Sequence, residues 1–570
     1  MGNSIINVLT CGACSNSNNI DERTKESEKD EMDEATKETF ERLKKDNQTP
    51  LPKNLVEVKI QTKDMIQKRE DNVFDHYKKI SELGSGAFGT VYKVQNIASE
   101  NLRAMKVISK EFIHSGVDAA EISNEIQILS RLDHPNIMRI YEFFEDKDNF
   151  YIITEYCDQG DLAGKMDEEG KLNELLVKYF MNQVFVAISY LHSQNVFHGD
   201  IKRENILLES LDESINAKET ISSIENDKTI IEELKNHIIS EKTRNLLKEL
   251  STIEVKLVDF GAAKMFSPHK RMSGIIGTTY YCSPEVIDNL YREECDEWAC
   301  GVLMYILLTG YPPFDGETEE EIFYKIKNEK PNIKADELKN VSRNCKNLIL
   351  QLLQKDPEQR IKAKDALQHP FFTENINVDD LLTQGTDMSL LTSLRSSMAQ
   401  KTKFQDAVIA YIALNFTDKK EEQKIKEIFR TMSKDHSTFK IDIDMFVKCL
   451  TENNIATADE AKDIFYSIDN DKNGSIEYQE LVRGMSDKKK LLSDTNLKEA
   501  FDFFDVDKSK TITWDEIARI VFQGKNVPKE LVNSFLKEIG KTEKDPITFK
   551  EFCEMIRKLL FKKKKFKYML

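Results

Sequence analysis

GSGAFGTV, from Gly84 to Val91, runs directly into the β-branched stretch TVYKV, and this order decides the fold of the first half of the chain. Glycines let backbone amides approach phosphate groups without a Cβ in the way. In a dinucleotide-binding Rossmann unit such a loop would open a helix, whereas here the chain continues as a strand. We therefore expect a phosphate-binding loop between two strands, formed by Leu83, Gly84, Gly86, Phe88, Gly89 and Val91.

Two charged residues downstream fit the same nucleotide. Lys106 ends the triplet AMK on the next predicted strand, from which it can reach the α- and β-phosphates. Glu125, within the helical pattern NEIQIL, is its expected ion-pair partner. In isolation each would be an ordinary surface charge, but their order among the other motifs favours the functional interpretation.

The motifs HGDIKREN, from His198, and DFG, from Asp259, supply the remaining groups that phosphoryl transfer needs. Asp200 is the expected catalytic base, which orients a substrate hydroxyl and accepts its proton, and Lys202 can neutralise charge on the moving γ-phosphoryl group. Asn205 and Asp259 offer the oxygen ligands that Mg²⁺ prefers. We therefore expect ATP, held with Mg²⁺, as the phosphoryl donor.

These motifs make residues 77–372 similar to a eukaryotic protein kinase domain, and the lysine two residues after the catalytic aspartate is typical of its serine/threonine-specific branch. The resemblance implies a bilobal α+β kinase fold. It places Thr154 at the gatekeeper position and Glu155 in the hinge, whose backbone binds the adenine ring, and it offers Asp161 to the ribose. It also implies a buried ion pair between Glu285 and Arg360 that anchors the substrate-binding segment.

Two features depart from the family pattern. Gly199 stands where an arginine usually precedes the catalytic aspartate, so a phosphorylated activation loop has less to bind and control is expected elsewhere in the chain. An insert at about 209–254 lengthens the stretch before DFG, and a solvent-facing insert costs little because loop closure grows slowly with length. Helical spacing within the insert is compatible with a surface helix that carries Ile231, Leu234, Ile238 and Leu246.

Two acidic loops in the second half match the EF-hand pattern, which has oxygens at positions 1, 3, 5, 7 and 9, glycine at position 6 and glutamate at position 12. The loop from Asp469 meets every requirement, with Gly474 at the turn, and a chance acidic loop is a remote alternative. Its expected calcium ligands are Asp469, Asp471, Asn473, Ser475, Glu477 and Glu480.

The second acidic loop has Lys510 where the glycine belongs. A non-glycine residue in the left-handed conformation costs about 1–2 kcal/mol, so weaker calcium binding is expected. The ligand count still favours a binding loop over an inactive one. Its candidate ligands are Asp505, Asp507, Ser509, Thr511, Thr513 and Glu516.

Two further helix–loop–helix segments flank these loops without complete ligand sets. Around 433–446 the apolar anchors remain, but an apparent extra residue breaks the ligand register. Around 540–551, positions 1, 3 and 5 are Gly540, Thr542 and Lys544, and only Glu551 remains. We expect residues 421–560 to form an all-α domain of four EF-hands in two lobes, each lobe with one calcium-binding loop.

A junction at 373–420 connects the two halves. Calcium-sensor lobes commonly bind a basic amphipathic helix, and this segment has that pattern. Periodicity alone equally allows a linker helix that packs on the first half. The apolar positions are Leu391, Leu394, Met398, Phe404, Val408, Tyr411 and Ile412, and the basic ones are Arg395, Lys401 and Lys403.

Kinase region, junction and four EF-hands in this order resemble the calcium-dependent protein kinase family across nearly the whole chain beyond residue 76. The resemblance implies a calcium-activated serine/threonine kinase whose junction blocks the active site until calcium-loaded lobes capture it. The alternative is a calcium-sensing scaffold on a catalytically inactive kinase fold. That alternative predicts loss of Lys106, Asp200, Asn205 or Asp259, and all four are present.

Composition limits the partners and the compartment. The net charge of −17 argues against nucleic acid as a ligand. The longest apolar stretch, near Val302 to Leu308, is far too short to cross a bilayer. Nine scattered cysteines do not suggest a disulfide framework, so a cytoplasmic protein is expected. We also expect a monomer.

The two ends suggest contact with a membrane. Residues 1–76 are rich in charge and are expected to be a disordered leader. Gly2 is a candidate for myristoylation although Ile6 stands where the motif asks for Ser or Thr, and Cys11 and Cys14 could add palmitate. The alternative is a flexible tail with free thiols. The basic tail 561–570 could touch anionic lipid or simply end a helix.

Overall fold

The fold was obtained as a computed structural model. It describes residues 66, 68–69, 71–86, 89–113, 119–210, 212, 214–236, 239–267, 270–274, 276–374, 390–394, 402–433, 439–521, 532–533, 536–537, 539–542 and 545–561. The leader up to residue 65, with Gly2, Cys11 and Cys14, and the tail beyond 561 lie outside this range, as do Phe88, Ile238, Arg395, Met398 and Lys401.

The first lobe is built on a six-stranded sheet with the order β1-β5-β6-β4-β3-β2. Its strands are β1 (Lys68–Arg69), β2 (Tyr77–Gly86), β3 (Gly89–Asn96), β4 (Leu102–Ser109), β5 (Ile140–Glu145) and β6 (Asn149–Glu155), with helices α1 (Lys110–Ile113) and α2 (Ala119–Leu129) between β4 and β5. All neighbouring strands are antiparallel except β1, which runs parallel to β5 at the edge. The β-branched stretches therefore lie in strands of the predicted sheet.

The leader ends earlier than residue 76, which corrects the predicted boundary. Strand β1 and a 3-10 helix at Val73–Asp75 belong to the first lobe. Val73 is buried, and Arg69 forms ion pairs with Glu142 and Asp71, each at 2.8 Å. Charged residues that satisfy one another inside a fold have the same composition as a solvated leader, so composition alone misplaced this boundary.

The second lobe is helical around a short hairpin. Its elements before the DFG motif are α3 (Leu162–Glu169), α4 (Glu174–Ser193), β7 (Val196–Phe197), β8 (Ile206–Ser210), α5 (Ala217–Asn226), α6 (Thr229–Lys235), α7 (Glu241–Ser251) and β9 (Ile253–Leu257). After that motif follow β10 (Lys264–Met265), α8 (Pro284–Ile287), α9 (Glu294–Thr309), α10 (Glu319–Asn328), α11 (Arg343–Leu352), α12 (Ala363–Ala366) and α13 (Pro370–Thr373). Every residue of α9 is buried, so this helix forms the centre of the lobe.

The insert folds as three helices between β8 and β9. Glu209 and Glu254, its predicted ends, are paired residues of β8 and β9, and the inserted helices α5 to α7 lie between these strands. Leu234 and Leu247 are buried, so the helices pack as a unit rather than as one surface helix. Asn173 donates from its backbone to Glu225 at 2.6 Å and so ties α5 to the start of α4.

The second half of the chain is helical. It contains α14 (Lys403–Phe416), α15 (Lys419–Met432), β11 (Ile441–Asp442), α16 (Ile443–Glu452), α17 (Ala458–Ile468), β12 (Ser475–Ile476), α18 (Tyr478–Met485), α19 (Lys488–Leu491), α20 (Asp494–Phe504), β13 (Thr511–Ile512), α21 (Trp514–Val521), β14 (Ile547–Thr548) and α22 (Phe549–Phe561). The pairs β11–β12 and β13–β14 join four hands into two lobes, numbered 1–2 and 3–4 in chain order. The predicted fold class, a bilobal α+β kinase fold followed by an all-α region, is confirmed. In the described ranges no helix is both long and apolar enough to span a bilayer.

Candidate active site and calcium-binding loops

The sheet register stacks the glycine loop over Lys106. Gly84 pairs with Val91, and Val91 pairs with Lys106 on β4. A Cβ on Gly89 would lie 2.0 Å from the carbonyl oxygen of Val107, at φ +143°, so this glycine is required by close approach to β4. Leu83, Gly84 and Val91 are half-buried beside it.

Lys106 and Glu125 meet as predicted. The Lys106 Nζ atom lies 3.3 and 3.2 Å from the two carboxylate oxygens of Glu125 on α2. Burial opposes the charge of Lys106, but Glu125 and Asp259 outweigh it, and the pKa of Lys106 is raised. Asn124, also on α2, donates to the carbonyl of Ala263 at 2.9 Å and so fixes the helix to the segment after DFG.

The carboxylate of Asp200 is held by three side chains. Lys202 Nζ lies 2.5 Å from Oδ2, Asn205 Nδ2 donates to Oδ2 at 3.0 Å, and Thr278 Oγ1 donates to Oδ1 at 2.9 Å. Lys202 also donates to Thr278 Oγ1 at 3.1 Å. Sequence reasoning missed Thr278, because no local pattern links it to Asp200, which lies 78 positions earlier.

Asp296 at the start of α9 shapes the backbone of this catalytic loop. Its carboxylate accepts from the backbone amides of His198 and Gly199 at 2.8 and 2.9 Å. Gly199 has φ +80°, and a Cβ there would lie 3.0 Å from the Phe197 ring. Gly199 therefore fits a crowded position with left-handed backbone. It stands where the family usually has the arginine that binds a phosphorylated activation loop.

The residues predicted to hold Mg²⁺ fit a hard cation. Asn205 Oδ1 is buried and has no hydrogen-bond partner among the described residues, although the Asn205 amide nitrogen is fully engaged with Asp200. Burial raises the pKa of Asp259, and Lys106 opposes that shift. A buried, unsatisfied oxygen costs free energy unless a cation or water binds it. This donor set therefore matches the predicted magnesium ligands.

The side chains of Glu155 and Asp161 are engaged outside the nucleotide cleft. The Glu155 carboxylate accepts from Lys256 Nζ at 2.7 Å and from the backbone amide of Arg139 at 2.8 Å, and the Glu155 amide donates to the Arg139 carbonyl at 3.1 Å. The adenine contact expected of the Glu155 backbone stays a prediction. Asp161 caps α3 by accepting from the Gly164 amide at 2.6 Å. The ribose contact expected of Asp161 stays a prediction.

The substrate-binding segment is anchored as the family resemblance implied. Arg360 donates to both oxygens of Glu285, at 2.6 and 3.0 Å, and all of these atoms are buried. The same guanidinium group donates to the carbonyl of Glu294 at the start of α9. The segment is thereby fixed to the centre of the second lobe.

The loop of hand 2 gathers the predicted carboxylates. Asp469, Asp471 and Glu480 offer oxygens within 4.8 Å of one another. Burial raises the pKa of Glu480 to about 7, and burial also raises the pKa of Asp469. A carboxylate cluster this buried favours a cation. Asn473 and Ser475, the predicted ligands at positions 5 and 7, form a hydrogen bond of 2.6 Å across the loop.

The loop of hand 3 has the same form with one strained residue. Asp505, Asp507 and Glu516 also offer oxygens within 4.8 Å of one another. Lys510 adopts φ +67°, close to the +84° of Gly474 in hand 2, so the expected left-handed strain is present. Ser509 and Thr511, the other predicted ligands, lie within 3.2 Å of each other through their hydroxyl oxygens.

Strand pairing fixes the register of the two incomplete hands. Ile441 lies opposite Ile476, which places Met445, a residue without a ligand oxygen on its side chain, at position 12 of hand 1. Ile547 lies opposite Ile512, so hand 4 runs from Gly540 to Glu551 as predicted. Each lobe thus contains one loop with clustered carboxylates.

Hands 1–2 dock on the first lobe and on the stem of the insert. The backbone amide of Gln479, beside the hand 2 ligand Glu480, donates to Asp133 at 2.9 Å in the loop after α2. The ring of Phe439 lies 4.3 Å from that of His134 in the same loop. Sequence patterns gave no signal for this surface, because it joins residues more than 300 positions apart.

The described part of the junction lies away from the catalytic loop. Phe404 on α14 packs against Phe504 and Phe552 of hands 3–4, with ring centroids 5.3 and 6.0 Å apart. At the other end of the helix, the Asn415 carbonyl accepts from Arg103 on the outer side of the first-lobe sheet at 3.0 Å. Helix α14 therefore has both predicted roles of the junction, since it packs against hands 3–4 and also against the first lobe of the kinase region. Leu391 and Leu394 are buried among residues of hands 1–2.

Comparisons with known proteins cover both halves. A family model for the protein kinase domain matches residues 77–218 and 241–372, leaving out only part of the insert, and a model for an EF-hand domain pair matches residues 494–557. Calcium-dependent protein kinase 4 of Plasmodium falciparum (isolate 3D7) is 32% identical over 507 residues, covering 85% of this chain and 87% of that protein. Calcium-dependent protein kinase 3 of Plasmodium berghei (strain Anka) is 31% identical over 497 residues, with 85% and 81% covered. Calcium-dependent protein kinase 2 of Zea mays is 28% identical over 512 residues, with 90% and 91% covered.

Proposed function

Since the chain belongs to the calcium-dependent protein kinase family, we propose how its own residues divide the work of a calcium-activated serine/threonine kinase. The scaffold alternative has no support, because relatives over most of the chain are named as kinases. The kinase domain implies use of ATP with Mg²⁺ on protein substrates, and the EF-hands imply calcium binding. The observation that carries the residue assignments is the assembled Asp200–Lys202–Thr278 cluster beside the unpartnered Asn205 oxygen.

In the proposed mechanism, Asp200 accepts the proton of a substrate serine or threonine hydroxyl as that oxygen bonds to the γ-phosphorus of ATP. The bond between the γ-phosphorus and the β,γ-bridging oxygen breaks, and ADP leaves. Lys202 and Thr278 fix the carboxylate orientation, and the Lys202 ammonium offsets charge on the transferring group. Lys106, held by Glu125, positions the α- and β-phosphates. Mg²⁺, when bound through Asn205 and Asp259, neutralises phosphate charge.

We assign the active state to the arrangement in which hands 1–2 dock on the first lobe. In this arrangement Lys106 and Glu125 are paired, and the loop that follows α2 is held by Gln479 of hand 2. The loop of hand 2 would hold calcium, and its last ligand, Glu480, lies beside Gln479 in the first turn of α18, so a bound ion would fix the start of this helix. The junction, together with its segment outside the described residues, is proposed to act as the autoinhibitor when the lobes are released.

The compartment of the protein, its oligomeric state and its attachment to membranes are also proposals. The protein is proposed to be a cytoplasmic monomer that attaches peripherally to membranes through acylation at Gly2, Cys11 or Cys14. The support is the sequence of the leader alone. Mass spectrometry of the purified chain from a eukaryotic host tests the acylation, and unmodified residues at all three positions would reject it.

Transfer of labelled phosphate to a serine-containing peptide, with calcium and with EGTA, tests the activity assignment. Asp200→Ala should abolish transfer while leaving calcium binding intact, because Asp200 lies in the other half of the molecule. Asp148→Ala, a change at an exposed turn between β5 and β6, is the matched control and should retain full activity. Substantial calcium-stimulated transfer by the Asp200 variant would overturn the assignment of the base.

A further inference from the structure

Hand 4 has the backbone of an EF-hand but not its ligands. Strand β14 pairs with β13 of hand 3, which fixes Pro546 at position 7 and Glu551 at position 12. Those two positions supply a backbone carbonyl and a carboxylate when a hand binds calcium. The side chains predicted at positions 1 and 3, Gly540 and Thr542, provide no carboxylate.

Lys541 brings a positive charge into this loop. Its Nζ atom lies 2.6 Å from Glu551 Oε1 and 3.5 Å from the carbonyl oxygen of Pro546. The ammonium group thus contacts position 12 and position 7 together. The Lys541 side chain is mostly buried, with 18% of its surface exposed.

Glu551 shares one backbone contact with the position-12 glutamates of hands 2 and 3. In each of these three hands one carboxylate oxygen accepts from the backbone amide at position 9: Glu480 from Glu477, Glu516 from Thr513, and Glu551 from Thr548. The other oxygen, Oε1, faces into the loop. In hands 2 and 3 it accepts from loop amides, whereas in hand 4 it receives the lysine ammonium.

We propose that hand 4 contains its own cation, the Lys541 ammonium, which bridges positions 7 and 12 where a working hand binds calcium and keeps the hand assembled at every calcium concentration. Charge balance supports this arrangement, because the Lys541 contact is the main cause that lowers the pKa of Glu551 to about 2. In a permanently assembled hand 4, β14 stays in place and keeps its partner strand β13 of hand 3 paired. Hand 3 can then bind its single ion without a second ion in the same lobe.

This inference concerns the regulation of the kinase proposed above, but its test needs no kinase activity. Amide hydrogen exchange of the full-length chain in EGTA reports the opening of β13–β14 and of the start of α22. Lys541→Met should speed exchange there roughly two- to fivefold, the range of a partly exposed ion pair. Lys550→Met is the matched control, since this lysine of the same hand is exposed and pairs with no acid in the described residues.

A double-mutant cycle separates this role from general destabilisation. Glu551→Gln should have an effect similar to that of Lys541→Met, and the double variant should be no worse than either single variant. In a Glu480→Gln background, where hand 2 is disabled, equilibrium dialysis of calcium should show hand 3 binding weakened by a similar factor in Lys541→Met. Exchange and calcium affinity equal to those of Lys550→Met, or effects of the two single variants that multiply, would overturn the proposal.

Discussion

Replacing Glu254 by glutamine should disconnect calcium binding from catalysis. Glu254 is fully buried on β9, at the stem of the insert, and faces α15 of hand 1. Lys426 Nζ contacts its Oε2 atom, and Arg430 Nη2 lies 3.3 Å from its Oε1 atom. The substitution keeps the shape of the side chain but removes the carboxylate that the buried Lys426 and the partly exposed Arg430 both face.

The expected effect can be worked out from the burial of these groups. Removing one partner of a buried ion pair costs about 3–5 kcal/mol. A docked state populated about 99:1 in saturating calcium is favoured by about 2.7 kcal/mol. The difference leaves between roughly 40% and roughly 2% of the molecules docked. Calcium-stimulated activity should fall to the same fraction of the wild-type rate.

The assay is peptide phosphorylation at saturating calcium and in EGTA, with calcium binding measured in parallel. Glu254→Gln should retain calcium binding at hands 2 and 3 and lose stimulated turnover. Glu241→Gln, at the exposed start of α7 in the same insert, is the matched control and should behave as wild type. Adding Lys426→Met to Glu254→Gln removes one uncompensated charge and should recover part of the rate. Stimulated turnover above four-fifths of wild type in a folded Glu254→Gln variant would refute the reasoning.

Three further predictions follow from individual groups. Burial opposes the charge of His192, but two neighbouring carboxylates raise its pKa to about 10, so the stability that this charge contributes should be complete below pH 6.5 and be lost towards pH 10. Urea midpoints at pH 6.5 and 9.5 should therefore differ less in His192→Gln than in wild type, and equal differences would contradict the assignment. Glu480→Gln should reduce maximal calcium stimulation more than Glu516→Gln, because the amide beside Glu480 bonds to the loop after α2 at 2.9 Å, whereas the loop of hand 3 meets the first lobe through an exposed Lys508–Asp71 pair at 3.9 Å; equal or reversed losses in the peptide assay would argue against this difference. Lys510→Gly should strengthen calcium binding at hand 3 by up to roughly five- to thirtyfold, the equivalent of about 1–2 kcal/mol of left-handed strain, and unchanged binding in equilibrium dialysis would exclude strain as the limit.

Local patterns predicted the parts of the molecule that depend on local chemistry. The glycine loop, the lysine on β4 and the acidic loop ligands are specified by residue type and spacing, and these spacings survive folding because each lies within one turn or one strand pair. Glu285 and Arg360 were found only through the family resemblance, because they are 75 positions apart and no local pattern links them.

Buried ion pairs between distant elements could not be predicted from the sequence. Arg69 and Glu254 look like any solvated charge in a chain with 32% charged residues, yet Arg69 is largely covered and Glu254 fully buried, each against a partner from a distant element. The same limit applies to Lys541, whose position in the loop is readable but whose contact with Glu551 is not. Whether a charged residue is buried can be predicted only when its partners are known. Strand register and the docking of domains determine those partners.

The docking contacts suggest how two calcium ions can control one switch. Moving a switch from 1:99 to 99:1 needs about 5.5 kcal/mol, so two ions must each prefer the active state by about 2.7 kcal/mol. Hand 2 can supply its share directly, since Gln479 beside its ligand Glu480 contacts the loop after α2. Hand 3 contacts the first lobe only weakly through its loop, where the exposed Lys508 Nζ lies 3.9 Å from Asp71 Oδ2. It also acts through α14, which packs on hands 3–4 while Asn415 at its far end contacts the first lobe. The two ions therefore stabilise different contact surfaces of the same docked state. Weaker calcium binding at the strained hand 3 makes activation graded rather than complete.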